Sequence, residues 1–321
     1  ALPLPVANFL ITVGGYVMND SFVDVIAEVK LAIQTGKPVV ALESTVIAHG
    51  LPRPQNLDTA RRLQAIVRSE GAIPATVAIL DGRVKIGLAD DELEVLANAD
   101  QVVKVSRRDF SNVVGRGLTG ATTVAGTLIA ASWAGIRVMA TGGIGGVHRG
   151  EEPDVSADLP EIARTPMVVV CSGAKAILDL SATLEWLETH GVPVVGYGTD
   201  DLPGFYARSS GLPLEVRADT PVSVSELWDT HTDLGMTGGM VVTVPPPEKE
   251  ALSGTEIQSA INQALDQAVA DGVRGKHNTP YLLQKVKELT GGASLRVNIA
   301  LLENNARIAS MISNRIVNSD I

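Results

Sequence analysis

Residues 167–175 read MVVVCSGAK, and this stretch limits the folds open to the chain more than any other. Its first five residues are all apolar and make a fully buried strand. Ser172-Gly173 turns the chain, and 174–190 then reads as a helix. Lys175 falls in the first turn of that helix, at the carboxyl end of the strand, which is the edge where open α/β sheets hold their ligands. A helix N-terminus disfavours a cation, and burial favours the neutral amine, the form that attacks carbon. A solvated lysine on a helix's first turn is the plainer alternative.

The same alternation runs through the chain. Strands are expected at 38–42, 75–80, 83–87, 101–106, 137–140, 167–171, 193–197 and 240–244. Helices are expected at 22–34, 57–70, 90–97, 119–135, 174–190, 222–231 and 294–312. Another has Ile257, Ile261, Leu265 and Val269 on one face, and Thr279-Pro280 opens one more. The 119–135 helix is rich in small residues, which suits close packing against the core or another subunit. Strands alternating with helices define an α/β class, layered α/β/α with a mostly parallel central sheet. Asp81-Gly82 between two apolar runs is a type I′ hairpin signal, so the sheet is partly mixed. No internal repeat or long linker divides the chain. The expected organisation is an N-terminal extension over 1–21, one domain over 22–314 and a tail over 315–321.

Composition excludes several functions. Net charge is −10 and aromatics are only 3%, which does not suit polymeric nucleic acid. No span approaches the ~20 apolar residues a membrane crossing needs. The single cysteine, Cys171, permits no intrachain disulfide and sits in an apolar run, as a buried structural thiol does. A reducing compartment follows, cytoplasmic or, given the N-terminal extension, organellar.

Polar groups gather at the expected strand ends. Glu43 follows the 38–42 strand, where burial would favour a protonated carboxyl able to act as general acid; a turn carboxylate is the alternative. Lys104, Ser106, Arg107 and Arg108 end the 101–106 strand with three cations and a hydroxyl, enough for a phosphate dianion or for a salt-bridged turn. Thr141 opens the glycine-rich TGGIGG, where backbone N–H groups can approach an anion or simply turn tightly. It matches neither the dinucleotide nor the phosphate-loop motif. His148, Asp154 and Asp158 follow, and one carboxylate with waters suits Mn²⁺ or Mg²⁺ better than zinc. If the strands are parallel, Glu43, Lys104, Ser106, Thr141, His148, Asp154, Asp158 and Lys175 share one rim. An amine and an acid beside an anion site is equipment for imine chemistry on a sugar phosphate.

The sequence closely resembles the pseudouridine-5′-phosphate glycosidase family, also known as indigoidine synthase A-like proteins. The resemblance covers about 23–312 through ordered blocks. They are VVALESTVIAHGLPRPQN (39–56), GAIPATVAILDG (71–82), KVSRRD (104–109), TGGIGGVHRG (141–150), DVSADL (154–159), CSGAKAILDL (171–180), NTPYLL (278–283) and NIALLENNA (298–306). It implies reversible cleavage of the carbon–carbon glycosidic bond of pseudouridine 5′-phosphate to uracil and ribose 5-phosphate. Lys175 matches the family's nucleophile, which forms a Schiff base with ring-opened ribose, and Glu43 its proton donor. Asp154 matches the ligand of a metal, usually Mn²⁺. Ser156, Ala157 and Asp158 match a substrate-binding segment, and Lys104, Ser106, Val124, Thr141, His148 and Asn298 match other pocket positions. Family members are homotrimers, so a trimer is expected. The segment between His148 and Asp154 is shorter than the family's usual form and carries Glu151-Glu152-Pro153. Two other readings remain: cleavage of a different ribosyl 5-phosphate, or a non-catalytic sugar-phosphate-binding or pigment-pathway accessory protein.

Overall fold

A computed structural model describes residues 12–13, 16–17, 22–150, 154–273 and 278–318 of the chain. Most of the expected N-terminal extension, and Glu151-Glu152-Pro153, lie outside these described residues.

Thr12–Val13 (β1) and Tyr16–Val17 (β2) pair as a minimal antiparallel ladder. The remaining strands build one sheet with a branch. They are Val23–Val25 (β3), Val39–Leu42 (β4), Ile73–Leu80 (β5), Arg83–Ile86 (β6), Val103–Val105 (β7) and Gly120–Thr122 (β8). After them come Val138–Ala140 (β9), Val168–Cys171 (β10), Val194–Tyr197 (β11), Val216–Ala218 (β12) and Met240–Thr243 (β13). The central order is β12-β11-β13-β10-β9-β4-β5, and every neighbouring pair in it is parallel. All residues of β4, β10 and β13 are buried, so helices cover both faces of the sheet.

β5 leaves this sheet halfway along its length. Ile73 to Thr76 pair with β4, and Val77 to Leu80 pair antiparallel with β6. On the other edge of that outer half, Ala78 and Ile79 pair antiparallel with β8, and β7 runs parallel to β8. β3 closes the wing beside β6. The expected hairpin turn is present, with Asp81 and Gly82 both at positive φ as type I′ requires.

Several expected boundaries move. The 22–34 helix splits, because Val23–Val25 pairs with β6 and only Ala27–Gln34 is helical. The 119–135 helix also splits: Gly120–Thr122 is a strand, and the helix is Val124–Trp133, with the Thr123 hydroxyl accepting from the Gly126 N–H. Val124 through Ala131 are all buried, so its small residues serve the core. The 174–190 helix is only Leu180–Thr189, capped by the Asp179 carboxylate, and Lys175 therefore lies in an irregular connection ahead of it. In Gly254–Ala270 the buried face is Ile257, Ala260, Ile261, Ala264 and Ala268, while Val269 is exposed, because 3.6-residue periodicity drifts off a strict four-residue stripe. The last helix, Ala293–Asn318, buries Ile316 and so passes the expected boundary at residue 314. It packs on β4, β9 and β10. Among the described residues no helix is long and apolar enough to cross a membrane.

Candidate active site

The place where β5 leaves the central sheet opens the site. β4, β9 and β10 end there on one side, followed by Glu43, Thr141 and the 172–175 connection. The wing strands β7 and β8 run antiparallel to β5 and end facing them, followed by Ser106 and Thr123. The single rim expected from parallel strands thus holds for Glu43, Thr141 and Lys175, while Lys104 and Ser106 arrive on a strand running the opposite way. A seam joins the two sides: the Thr122 N–H donates to Ser44 Oγ at 2.9 Å, and the Ser44 N–H donates to the Thr122 carbonyl at 3.3 Å.

Glu43 is buried and accepts hydrogen bonds from the hydroxyls of Thr45 and Thr141. Both carboxylate oxygens are therefore oriented by short side chains. Thr141 is held in turn by its strand and by Asn305, whose Nδ2 donates to the Thr141 carbonyl at 2.9 Å and to Ser172 Oγ at 3.1 Å. Asn305 is fully buried, so one amide on the last helix links the ends of β9 and β10.

Lys175 is half-buried, and its N–H donates to the Ile144 carbonyl at 3.1 Å. The turn before it needs glycine: Gly173 has φ +83°, and a Cβ there would stand 2.6 Å from the Pro203 carbonyl oxygen. Lys104 is also half-buried. Burial pushes its ammonium below the usual lysine range, the Lys175 charge adds to this, and Asp158 and Glu43 oppose it. Among the described residues no hydrogen bond or ion pair engages either ammonium. Two cations close enough to repel each other suit an anion between them.

The rest of KVSRRD behaves otherwise. Arg107 forms a two-pronged pair with buried Glu161, with both N···O distances 2.7 Å, and Arg108 is exposed. Of the three expected cations, Lys104 is the one within electrostatic reach of Lys175, Asp158 and Glu43. Ser106 Oγ lies 3.0 Å from Thr123 Oγ1 at the N-terminus of Val124–Trp133. That helix directs its Ala125 N–H to Asp158 Oδ1 at 2.9 Å, and the Val124 N–H before it is a first-turn donor that the helix itself cannot satisfy.

The glycine-rich stretch is a packing device. Asp158 Oδ2 accepts from the Gly145 N–H at 2.8 Å, and a Cβ on Gly145 would stand 2.1 Å from Ser156 Oγ. Asp158 is thus buried and tied to both loop and helix, while Ser156 is half-buried and Ala157 exposed beside it. Asn298 stands close by, its Oδ1 3.3 Å from where a Cβ on Gly142 would be.

His148 is half-buried and lies 4.0 Å from exposed Asp154, measured from Nε2 to Oδ2. Burial lowers the basicity of its imidazole, the Asp154 charge opposes this, and Lys104 and Lys175 add to it. Among the described residues no three His, Cys, Asp or Glu side chains form a ligand cluster. The exposed Asp154 carboxylate fits Mg²⁺ or Mn²⁺, which keep much of their water, and one carboxylate beside one histidine is a poor match for zinc's nitrogen- and sulfur-rich sites. Cys171 is fully buried, and burial pushes its thiol up to about 12, as befits a structural residue.

Sequence reasoning missed Thr123, Ser172 and Asn305. Thr123 carried a usable signal, an N-cap residue before a run of small apolar residues. The others are brought in by tertiary packing alone.

Fold and site together define an α/β protein with a buried carboxyl group and two half-buried amines gathered at its strand ends. The chain belongs to the indigoidine synthase A like protein family, whose description matches residues 28–315. It is 51% identical over 294 residues to the pseudouridine-5′-phosphate glycosidase of Caldanaerobacter subterraneus subsp. tengcongensis, covering 91% of this chain and 96% of that one. It is 53% identical over 298 residues to the protein of the same name from Methylobacterium nodulans, covering 92% and 88%. Among solved structures it resembles the prealnumycin C-glycosynthase AlnA in complex with ribulose 5-phosphate, with TM-score 0.87, 37% identity and coverage of 94% and 99%. An indigoidine synthase A-like protein from Thermotoga maritima gives TM-score 0.86, 35% identity and the same coverage.

Proposed function

We propose that this chain is a pseudouridine-5′-phosphate glycosidase, cleaving its substrate with water to uracil and ribose 5-phosphate. Relatives of that name at about half identity support the reaction. The observation that carries the mechanism is that a buried, oriented carboxyl group at Glu43 and the half-buried amine of Lys175 both lie within electrostatic reach of Lys104.

The phosphate rests on Lys104, Ser106, the Val124 N–H and the 156–158 segment. The neutral Lys175 amine adds to the anomeric carbon as the ring C–O bond breaks, and a proton passes from the nitrogen to the ring oxygen, leaving the nitrogen its lone pair. Glu43 delivers a proton to the uracil carbon that bears the sugar. The nitrogen lone pair then forms the imine as the carbon–carbon bond breaks, and that bond's electron pair returns to the uracil ring. Water hydrolyses the imine, releasing ribose 5-phosphate and the amine. Asp154, with His148 beside it, would hold Mn²⁺ or Mg²⁺ through one carboxylate and waters. Such an ion supplies local positive charge for the sugar phosphate's oxygens. Thr141, Asn298 and His148 complete the pocket, and Asp158 keeps loop and helix in register.

The trap for an imine is borohydride. Incubation with ribose 5-phosphate and borohydride should add a sugar phosphate to Lys175, read by intact mass and peptide mapping. The Lys175→Ala variant should remain folded, bind ribose 5-phosphate, take no label and turn over no substrate. Absence of label on the folded wild type with metal present would leave a sugar-phosphate-binding protein instead. We further propose a homotrimer in a reducing compartment such as the cytoplasm.

A further inference from the structure

The branch of β5 leaves the two sides of the site on separate pieces of backbone, and a buried cluster of hydroxyls joins them. Glu43, Thr141 and Lys175 follow strands of the central sheet, whereas Lys104 and Ser106 come from β7 of the wing and the Val124–Trp133 helix follows β8. Leu42 still pairs with Thr76, but one residue further on β5 has turned to β6 and β8. Past that point Ser44 meets Thr122 instead. The Ser44 carbonyl is occupied by the Ile47 and Ala48 N–H groups at 3.0 and 3.1 Å, so it cannot continue a ladder. The Ser44 hydroxyl takes its place and accepts from the Thr122 N–H at 2.9 Å.

The protons available fix the direction of each bond in the cluster. The Thr122 hydroxyl has one, and it goes to the Val77 carbonyl at 2.7 Å, which only accepts. The Thr127 hydroxyl, 2.9 Å from Thr122 Oγ1, must therefore donate to it, and so must the Ser44 hydroxyl at 3.4 Å. Ser44, Thr122 and Thr127 are each 0% exposed, so bulk water does not replace a lost member. Thr122 thus holds the residue after Glu43, the bend of β5 and, through Thr127, the helix that opens at Val124. Its partner on β7 is Val105, which lies between Lys104 and Ser106. Asp158 makes a second tie, from the Gly145 N–H to the Ala125 N–H.

We propose that Ser44 is a positioning residue: by fastening Thr122 it sets the separation between the phosphate-holding side, Lys104 with Ser106, and the reacting side, Glu43 with Lys175. The inference rests on the glycosidase reading and adds what turns a bound phosphate into a placed sugar. A sugar phosphate gripped at one end presents its anomeric carbon to the amine only if the two sides keep a fixed distance. A displacement of about 1 Å costs up to about 10²-fold in rate. Loss of the clasp should therefore slow the chemistry of bound sugar phosphate without loosening the grip, whose parts stay tied to one another through β7, β8 and Asp158.

The test follows the rate of borohydride labelling of Lys175 against ribose 5-phosphate concentration in wild type, Ser44→Ala, Thr122→Val and Thr122→Ser. The rate constant at saturating sugar phosphate does not depend on how much of the protein is folded, whereas the final extent of labelling does. Ser44→Ala should lower that rate constant about tenfold or more, with half-saturation within about twofold of wild type. Thr122→Val keeps the side chain's shape and both backbone bonds to Ser44, loses the hydroxyl and should show the same split to a smaller degree. Thr122→Ser keeps the hydroxyl and should label at close to the wild-type rate. If Ser44→Ala does not fold, the two Thr122 variants decide. A rise in half-saturation that accounts for the whole loss overturns the proposal, since the clasp would then serve the grip itself. Slower cleavage of pseudouridine 5′-phosphate with an unchanged labelling rate also overturns it, because Ser44 would then act on Glu43 alone. Wild type that labels but is indifferent to Ser44 and Thr122 overturns this inference alone. Wild type that takes no label overturns the glycosidase reading and this inference with it.

Discussion

Glu43 shows how a single carboxyl group acquires a direction. Two hydroxyls two and 98 residues away point at its two oxygens, so the group enters the site already oriented. Replacing it by glutamine keeps the shape and removes the transferable proton. Glu43→Gln should lower kcat about 10²- to 10⁴-fold, the usual contribution of a positioned general acid. Borohydride labelling of Lys175 should survive, because imine formation from free ribose 5-phosphate does not require protonation of the base. A parallel loss of label and turnover would mean that Glu43 acts on the sugar instead. Glu43 and Thr141 are legible in sequence because each directly follows a buried apolar run, and Lys175 because it comes just past the turn that ends one. Lys104 was legible as a charge but not in its direction of approach, which depends on the β5 branch. Asn305 carries no local pattern at all; its partner Thr141 lies 164 residues away.

At the scale of elements, the fully buried strands were the readable part, since an uninterrupted apolar run has few other uses. β8 was not readable, for Gly120–Thr122 has little strand propensity. It forms because Gly120 lets β7 close in: a Cβ there would stand 2.5 Å from Val105 Cγ2. The helix after β10 was placed too early because 174–179 favours helix locally, yet the Lys175 N–H is taken by Ile144 and Asp179 caps at Leu180. The glycine-rich loop makes a sharp test of such packing. Gly145→Ala should cost about 1–3 kcal/mol by overpacking against Ser156 and Asp158, and should lower affinity for ribose 5-phosphate. Denaturant midpoints and ligand titration read the two effects separately, and a stable variant with normal affinity would show the contact to be loose. The outer wing carries its own pH dependence. Hydrogen bonding from Arg83 lowers the Asp24 carboxyl from 3.8 to about 2; partial burial opposes this, and Lys85 assists. A depressed carboxyl stabilises the fold above its unfolded value, and the contribution is lost as pH falls through about 2. The groups are more than a third exposed, so the contribution is below about 1 kcal/mol. Asp24→Asn should be slightly less stable than wild type at about pH 5, and the difference should vanish near about pH 2, as urea unfolding would show.

At the scale of the whole molecule, a mass of three chains by light scattering would agree with the proposed trimer, and a monomer mass at working concentration would refute it. The site itself is assembled from β4, β7, β8, β9 and β10 and from the last helix, so no part of the chain much shorter than the whole contains it. Ser313 donates to the Val39 carbonyl at 3.1 Å across 274 residues, and Asn305 and Asn298 reach the site from the same helix. This has a consequence for how the protein is made. Translation runs from one end to the other, and residues 293–318 leave the ribosome late. While they are still in its tunnel, Thr141 and Ser172 lack their shared amide and the central strands lack their cover. From residue 175 onward a nascent chain therefore carries Lys175 without the helix that ties the neighbouring strand ends together. Premature termination anywhere before the last helix should yield an inert product for proteolysis rather than an enzyme of relaxed selectivity.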